Sequence, residues 1–308
     1  MSISDTDKKI ILELQKNGRM SYANLALRLG ISVSTVASRT ERLLRSKFIE
    51  VRAIPNPFRM GLLANALIAI QAEPLKIESI CDQLMGNSNI STLFTVFGRY
   101  DIFVFLFSPT WEIMHEFIHG ELSRIGGVIR LDTYFIKTFK KRYEGLFDES
   151  KAFEPVKLNG MEWKLITELT KNGRMNMNEI SEKVGMHVST VSRRIHSLIN
   201  RGLIRVIAVP NPERFGYYSN AFILLDIEAV RMDHICEILF PHPEIVHITT
   251  LINGSGLIIG IQTRNNGTLY KFIKEKIAQT SGIRRIETFI TAELKKRYYG
   301  WFIDEAEM

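Results

Sequence analysis

Glu13-Leu-Gln-Lys-Asn-Gly-Arg-Met20 returns 155 residues later as Glu168-Leu-Thr-Lys-Asn-Gly-Arg-Met175, and this echo decides the organisation of the chain. Aligned at that offset, residues 13–66 and 168–221 are identical at 24 of 54 positions. Among them are Val33-Ser-Thr-Val36 with Val188-Ser-Thr-Val191, and Pro55-Asn-Pro57 with Pro210-Asn-Pro212. The offset slips by one midway, setting Gly98 against Gly254, and recovers at Lys140-Lys-Arg-Tyr143 against Lys295-Lys-Arg-Tyr298. A period this long is no solenoid repeat and is ample for a complete two-part module. The chain therefore reads as a tandem duplication joined around residues 149–158. Four domains are expected: 1–60 and 156–215 of one kind, 61–150 and 216–308 of the other.

Each copy begins with three helical patterns. Ile10, Ile11 and Leu14 mark the first, which Asn17-Gly18 stops. Ser21 is placed to cap a short second helix carrying Leu25, Ala26 and Leu29, ending at Gly30. The third starts near Ser32 and sets Val33, Val36, Thr40 and Leu43 on one face at spacings of three and four. Its outward face shows Ser34, Thr35, Ser38, Arg39, Arg42 and Arg45. In the second copy the inner face becomes Val188, Val191, Ile195 and Leu198, and the outer face Ser189, Thr190, Arg193, Arg194 and Arg201. A short helix, a glycine turn and a helix with small polar residues first and arginines behind is the layout of a helix-turn-helix. Small residues let the backbone approach base edges, hydroxyls bond phosphates or bases, and arginines reach phosphates or the paired acceptors of guanine. The β-rich runs 48–54 and 203–209 follow and end at prolines, as a wing or a connecting strand does.

The period then changes. In the first copy 63–72 reads as a strand, 74–85 as a helix, 90–97 and 102–107 as strands, 111–125 as a helix and 128–139 as a strand. That order, β-α-β-β-α-β, predicts a ferredoxin-like domain with one antiparallel sheet backed by two helices, repeated over 220–294. The fold class is thus α+β, a winged helix-turn-helix and a ferredoxin-like domain in duplicate.

Charge distribution agrees with this partition. The 308 residues carry a formal net charge of +7, but segments 1–60 and 156–215 hold +6 and +5, while 61–150 and 216–308 hold −3 and −1. Solubility needs no such segregation; docking on a polyanion does. A hydrophobic content of 45% excludes a disordered chain, and no apolar run approaches the ~20 residues of a membrane helix. Two acids precede any apolar run at the start, so export is not expected, and two cysteines cannot staple a secreted scaffold. A reducing cytoplasm is the expected location.

Both copies resemble the Lrp/AsnC, or feast/famine, family of transcription regulators. The resemblance is carried by Asp5-Thr-Asp-Lys-Lys-Ile-Ile, by Asn-Gly-Arg before the second helix, by Leu-Gly-Ile-Ser-Val-Ser-Thr-Val at 29–36, by Arg39 and by the turn Gly98-Arg-Tyr-Asp101. It implies a sequence-specific DNA-binding regulator whose second domain oligomerises and answers to an amino acid or a similar small metabolite. The DNA-contacting candidates are Ser34, Thr35, Ser38, Arg39, Arg42, Ser189, Thr190, Arg193 and Arg194. The resemblance also nominates Gly98, Arg99, Tyr100 and Asp101 for the effector, with the Asp101 carboxylate as partner for a ligand amino group. The second copy departs there, reading Gly254-Ser-Gly-Leu257 with leucine in place of the acid. Tandem fusion is itself a departure, and the two sensing sheets are expected to pair within the chain as a pseudo-dimer that sets two recognition helices on one duplex. Further homo-oligomerisation is expected as well. No catalytic residue, metal or cofactor is assigned.

Other motifs compete. His115-Glu-Phe-Ile-His119 fits the zinc-protease pattern, but its counterpart is Tyr270 to Lys274 and no third ligand is apparent. Gly254-Ser-Gly256 with Gly260 lies inside a strand pair, where a hairpin turn is expected and not a dinucleotide loop. Cys81 and Cys236 are equivalent by the duplication and expected to pack in cores. Lys140-Lys-Arg-Tyr143 and its repeat fit either a solvated strand end or an inter-domain surface. An enzyme is the main rival: Ala-Val-Pro-Asn-Pro and Gly-Tyr at 208–217 resemble siroheme decarboxylases, though the Arg-rich, His-containing stretch expected of them after the central strand is absent.

Overall fold

The computed structural model describes residues 3–87, 89–141 and 154–296. In the first copy Ser4 opens α1 (Asp5–Lys16) with a capping box, its hydroxyl accepting from Asp7 N at 3.2 Å while the Asp7 carboxylate accepts from Ser4 N at 3.0 Å. Asn17 ends α1, Ser21 caps α2 (Tyr22–Leu29), and Gly30, left-handed at φ 66°, terminates it. Ser32 then caps α3 (Val33–Arg45), which leads into β1 (Ile49–Pro55). The remainder of the copy is β2 (Ala64–Ala72), α4 (Ile77–Met85), β3 (Ile90–Phe97), β4 (Ile102–Ser108), α5 (Trp111–Glu116) and β5 (Val128–Lys141). The second copy repeats the series as α6 (Gly160–Lys171), α7 (Met177–Val184), α8 (Val188–Asn200), β6 (Ile204–Pro210), β7 (Ser219–Ile227), α9 (Met232–Leu239), β8 (Ile245–Leu251), β9 (Gly256–Thr263), α10 (Asn266–Phe272) and β10 (Ile283–Lys296).

Two local expectations are corrected. Val33 is half exposed, at 50%, because as the first residue of α3 it precedes the turn that reaches the core; Val36, Thr40 and Leu43 hold the inner face. The helix expected over 111–125 is not uniform: α5 passes into a π turn at Phe117–Glu121 and a 3-10 turn at Leu122–Arg124, and α10 into a π turn at Ile273–Ile277. Met114, Ile118 and Leu122 are all buried at spacings of four, which drift around a 3.6-residue helix; the wider turn keeps them over the sheet.

Packing gathers the described residues into two compact units, each drawing on both copies. One holds residues up to Met60 with Pro155–Gly216; the other holds those within Gly61–Glu154 and Tyr217–Tyr298. In the first unit, β1 and β6 pair antiparallel from Ile49↔Pro210 to Pro55↔Ile204, so the expected wing is a ribbon shared by two helical modules. One core runs through both, joining Ile10, Leu14, Leu25, Val36 and Leu43 to Ile166, Leu169, Ile180, Val191 and Leu198. The repeated Asn-Gly-Arg locks them reciprocally. Gly18 N donates to Val206 O and Gly173 N to Val51 O, both at 2.7 Å, while Arg19 donates to Gly173 O at 2.7 Å and Arg174 to Gly18 O at 2.8 Å. Only glycine permits this approach: a Cβ on Gly18 would lie 2.7 Å from Val51 Cγ1 and 2.9 Å from the Ile207 carbonyl carbon.

In the second unit each copy forms the expected four-stranded sheet, and the two close edge to edge into a barrel of order β10-β3-β4-β2-β5-β8-β9-β7. The joins are β5 with β8 and β10 with β3, so neither sheet keeps a free edge for aggregation. Lys141 donates to Phe240 O and His242 O at the end of α9, and Lys296 to Met85 O and Asn87 O at the end of α4. Lys140 pairs with Asp233 at 2.9 Å and Lys295 with Glu78 at 2.8 Å. The twin lysines are thus cross-copy ties that satisfy helix C-terminal carbonyls. Arg142, Tyr143, Arg297 and Tyr298, like residues 149–153 of the join, lie outside the described residues.

Candidate nucleic-acid interface and effector region

The second helix of each helix-turn-helix is positioned by its cap and its inner face. Ser32 Oγ accepts from Thr35 N at 3.1 Å and lies 3.0 and 2.8 Å from the Ser34 and Thr35 hydroxyls, so the start of α3 presents three oxygens together. In α8 the cap is His187, whose Nδ1 accepts from Ser189 N at 3.3 Å and sits 2.8 Å from Ser189 Oγ. With Val36 and Leu43, or Val191, Ile195 and Leu198, turned inward, Ser34, Ser38, Ser189 and Arg193 are exposed; Thr35, Arg39, Arg42, Thr190 and Arg194 are half-buried. None of the nine sequence-predicted DNA contacts is buried.

The two copies differ in how their arginines are held. In α3, Arg39 donates to Ser4 Oγ at 2.9 Å and Asp7 Oδ1 at 3.1 Å, and Arg42 donates to Asp7 Oδ2 at 2.6 Å. Both guanidiniums keep about a third of their surface exposed, at 34%, while the Asp7 side chain is fully covered. Burial alone would raise the Asp7 carboxyl; the hydrogen bonds from Ser4, Arg42 and Arg39 outweigh it and hold the group down at about 2. In the second copy the aligned acid is Glu162, and its partner is Arg201 at 2.5 Å, beyond the C-terminus of α8. Arg193 and Arg194 have no ion pair among the described residues, and Arg194 Nε is covered without a hydrogen-bond partner. Sequence reading recorded Asp7 only within a family signature. The signal was present: continuing the 155-residue offset upstream of Glu13 sets Asp7 against Glu162, and Arg42 against a serine.

In the barrel, the turn Gly98 to Asp101 is fixed by its surroundings. Gly98 has φ 147°, and a Cβ there would lie 2.8 Å from the Phe289 ring. Asp101 Oδ2 accepts from Ala72 N at 2.8 Å and its own N–H donates to Ile70 O at 2.8 Å, so its carboxylate braces the neighbouring strand. Tyr100 is fully buried and donates to Asp132; burial first, then the bonds to Asp132 and Tyr134, push its phenol up. Burial opposes ionisation of Asp132, but hydrogen bonds from Tyr100 and Arg130 hold it below the ordinary carboxylate range. Arg99 pairs with Glu287 of the other copy at 3.1 Å. At the equivalent turn Tyr100 becomes Gly256 and Asp132 becomes Glu287, so this polar cluster occurs once.

The competing motifs find structural uses. The exposed His115 and His119 rings lie with centroids 4.3 Å apart and planes tilted by 39°, and among the described residues no group of three His, Cys, Asp or Glu is gathered for a metal. Gly254 occupies the β8–β9 hairpin turn at φ 76°. Cys81 and Cys236 are buried, which pushes both thiols up to about 11. No helix among the described residues is long and apolar enough to cross a membrane.

A family model described as winged helix-turn-helix DNA-binding matches residues 3–50 and 158–205, and one described as the PF0864 C-terminal dimeric alpha+beta barrel domain matches 220–304. An uncharacterised HTH-type transcriptional regulator of Pyrococcus abyssi is 32% identical over 142 residues, covering 46% of this chain and 90% of the relative. The HTH-type transcriptional regulator FL11 of Pyrococcus furiosus is 31% identical over 140 residues, covering 45% and 92%. Among solved structures, the siroheme decarboxylase NirDL superposes over 98% of this chain and 95% of its own with TM-score 0.68. At 15% identity that likeness is one of fold alone.

Proposed function

The chain belongs to the Lrp/AsnC family of DNA-binding transcription regulators, and from that premise we propose that α3 and α8 both engage one DNA duplex while a small metabolite, of the amino-acid class, modulates binding through the barrel. The observation that carries this reading is a pair of capped helices with exposed outward faces, built by two segments that together hold a charge of +11. Phosphate neutralisation by roughly six side chains implies a log–log salt slope near −5. Arg194→Ala is expected to weaken binding at every sequence and flatten that slope by about one. Fluorescence anisotropy on genomic fragments retained at physiological salt measures both; affinity indifferent to salt contradicts the reading.

For the effector, Gly98, Arg99, Tyr100 and Asp101 remain the proposed region, with Arg99 as the group suited to a ligand carboxylate. Asp101 already accepts from Ala72 N, and Asp132 and Glu287 are engaged by Tyr100, Arg130 and Arg99, so a ligand ammonium group would bind by displacing one of these partners. A thermal-shift panel of amino acids tests this through linkage: one ligand is expected to raise the melting temperature, and no shift across the panel contradicts it. The regulator reading is preferred to an enzyme because the relatives at 30% identity or more are named as regulators. A DNA partner implies a cytoplasmic location.

A further inference from the structure

We propose that the two recognition helices read unequal half-sites, with Arg193 on α8 as the specificity-determining residue and α3 seated chiefly by its hydroxyls. This rests on the DNA-binding reading above. At the 155-residue offset the outward positions of α3 and α8 pair Ser38 with Arg193, Glu41 with His196, Arg42 with Ser197 and Arg45 with Asn200. Bidentate recognition of guanine needs a guanidinium whose parallel N–H groups are free to swing into the groove. Arg39 and Arg42 are held against α1 by Asp7 and Ser4. Arg193 makes no hydrogen bond or ion pair among the described residues. It stands on the outermost side of α8, where Ser189, His196 and Asn200 line a shallow depression with it.

Electrostatics points the same way. Asp7 offsets one of the three α3 arginine charges, and the exposed Glu41 adds a negative charge to the outward side of that helix. In the second copy Glu162 is satisfied by Arg201 from beyond the end of α8, so Arg193 and Arg194 both keep their charge uncompensated. The second copy also carries His196, which bears no negative charge, where the first has that glutamate. A tandem chain is free to diverge in this way, since its halves need not match one palindrome.

The test is selection of duplexes from a randomised library by the full chain, followed by anisotropy at fixed salt for the wild type, Arg193→Ala and Ser38→Arg. Arg193→Ala is expected to bind the selected duplex about 10- to 100-fold more weakly and to lose base preference in one half-site only. Ser38→Arg is expected to add a guanine preference in the other half-site, moving the selected sequence toward a palindrome. An Arg193→Ala affinity within threefold of wild type overturns the proposal while leaving DNA binding intact, as does equal relaxation of both half-sites. A wild-type chain that selects no duplex overturns the DNA-binding reading itself.

Discussion

Replacing Asp7 with asparagine keeps the shape of the side chain but removes the charge that gathers Ser4, Arg39 and Arg42. The carboxyl sits at about 2 in the folded chain against 3.8 for an ordinary aspartate. Its ionised form therefore stabilises the fold by about 2 kcal/mol at neutral pH, at 1.36 kcal/mol per unit. Because the folded value is depressed, that contribution is complete above pH ~4, falls by roughly half near pH 3 and is nearly gone at pH 2. Hydrogen exchange of amides in α1 and α3, followed by mass spectrometry, reads the difference locally. Asp7→Asn is expected to exchange about 30-fold faster at pH 7, with the gap between variant and wild type shrinking as the pH drops toward 3. A gap that is the same at both pH values, or less than twofold at pH 7, refutes the assignment of Asp7 as the keystone of the first module.

Gly18→Ala forces a methyl into Val51 and the Ile207 backbone and is expected to cost about 2–3 kcal/mol in urea denaturation, as is Gly173→Ala, whose Cβ would meet Val206 and the Arg52 backbone. Lys141→Met and Lys296→Met each uncap two helix-end carbonyls and should lower stability by about 1–2 kcal/mol, seen as a lower melting temperature for both variants. Tyr100→Phe leaves Asp132 without its phenol donor; because burial and the bonds to Asp132 and Tyr134 keep the Tyr100 phenol protonated, ultraviolet titration of the folded protein is expected to show the same number of ionising tyrosines in variant and wild type until alkali unfolds the chain, and loss of one ionising tyrosine from the native titration contradicts the placement of Tyr100.

Much of the fold was legible because local signals and long-range pattern agreed. Ser21, Gly30 and Ser32 act as the stop and start signals their residue types suggest, and β3 occupies the span 90–97 read as a strand. The shared ribbon of β1 and β6 was not legible, since a lone strand ending in proline does not name its partner. Nor was the role of Asn-Gly-Arg, whose glycine and arginine act on backbone of the other copy. The paired lysines left two readings open for the same reason: their acceptors are carbonyls about 100 and 210 residues away in the chain, and carbonyls carry no sequence signature. At the candidate interface the exposed residue types were readable from helical period. Which arginines were free was not, because that depends on Asp7, an acid in another helix.

The central claim is that one polypeptide sets two recognition helices on one duplex. A hydroxyl-radical footprint of the chain on its selected DNA tests it directly. The account predicts two protected segments on one face of the duplex, about one helical turn apart, with Arg193→Ala weakening protection in only one of them. A single short protected stretch, or protection unaffected by changes in either helix, would contradict it.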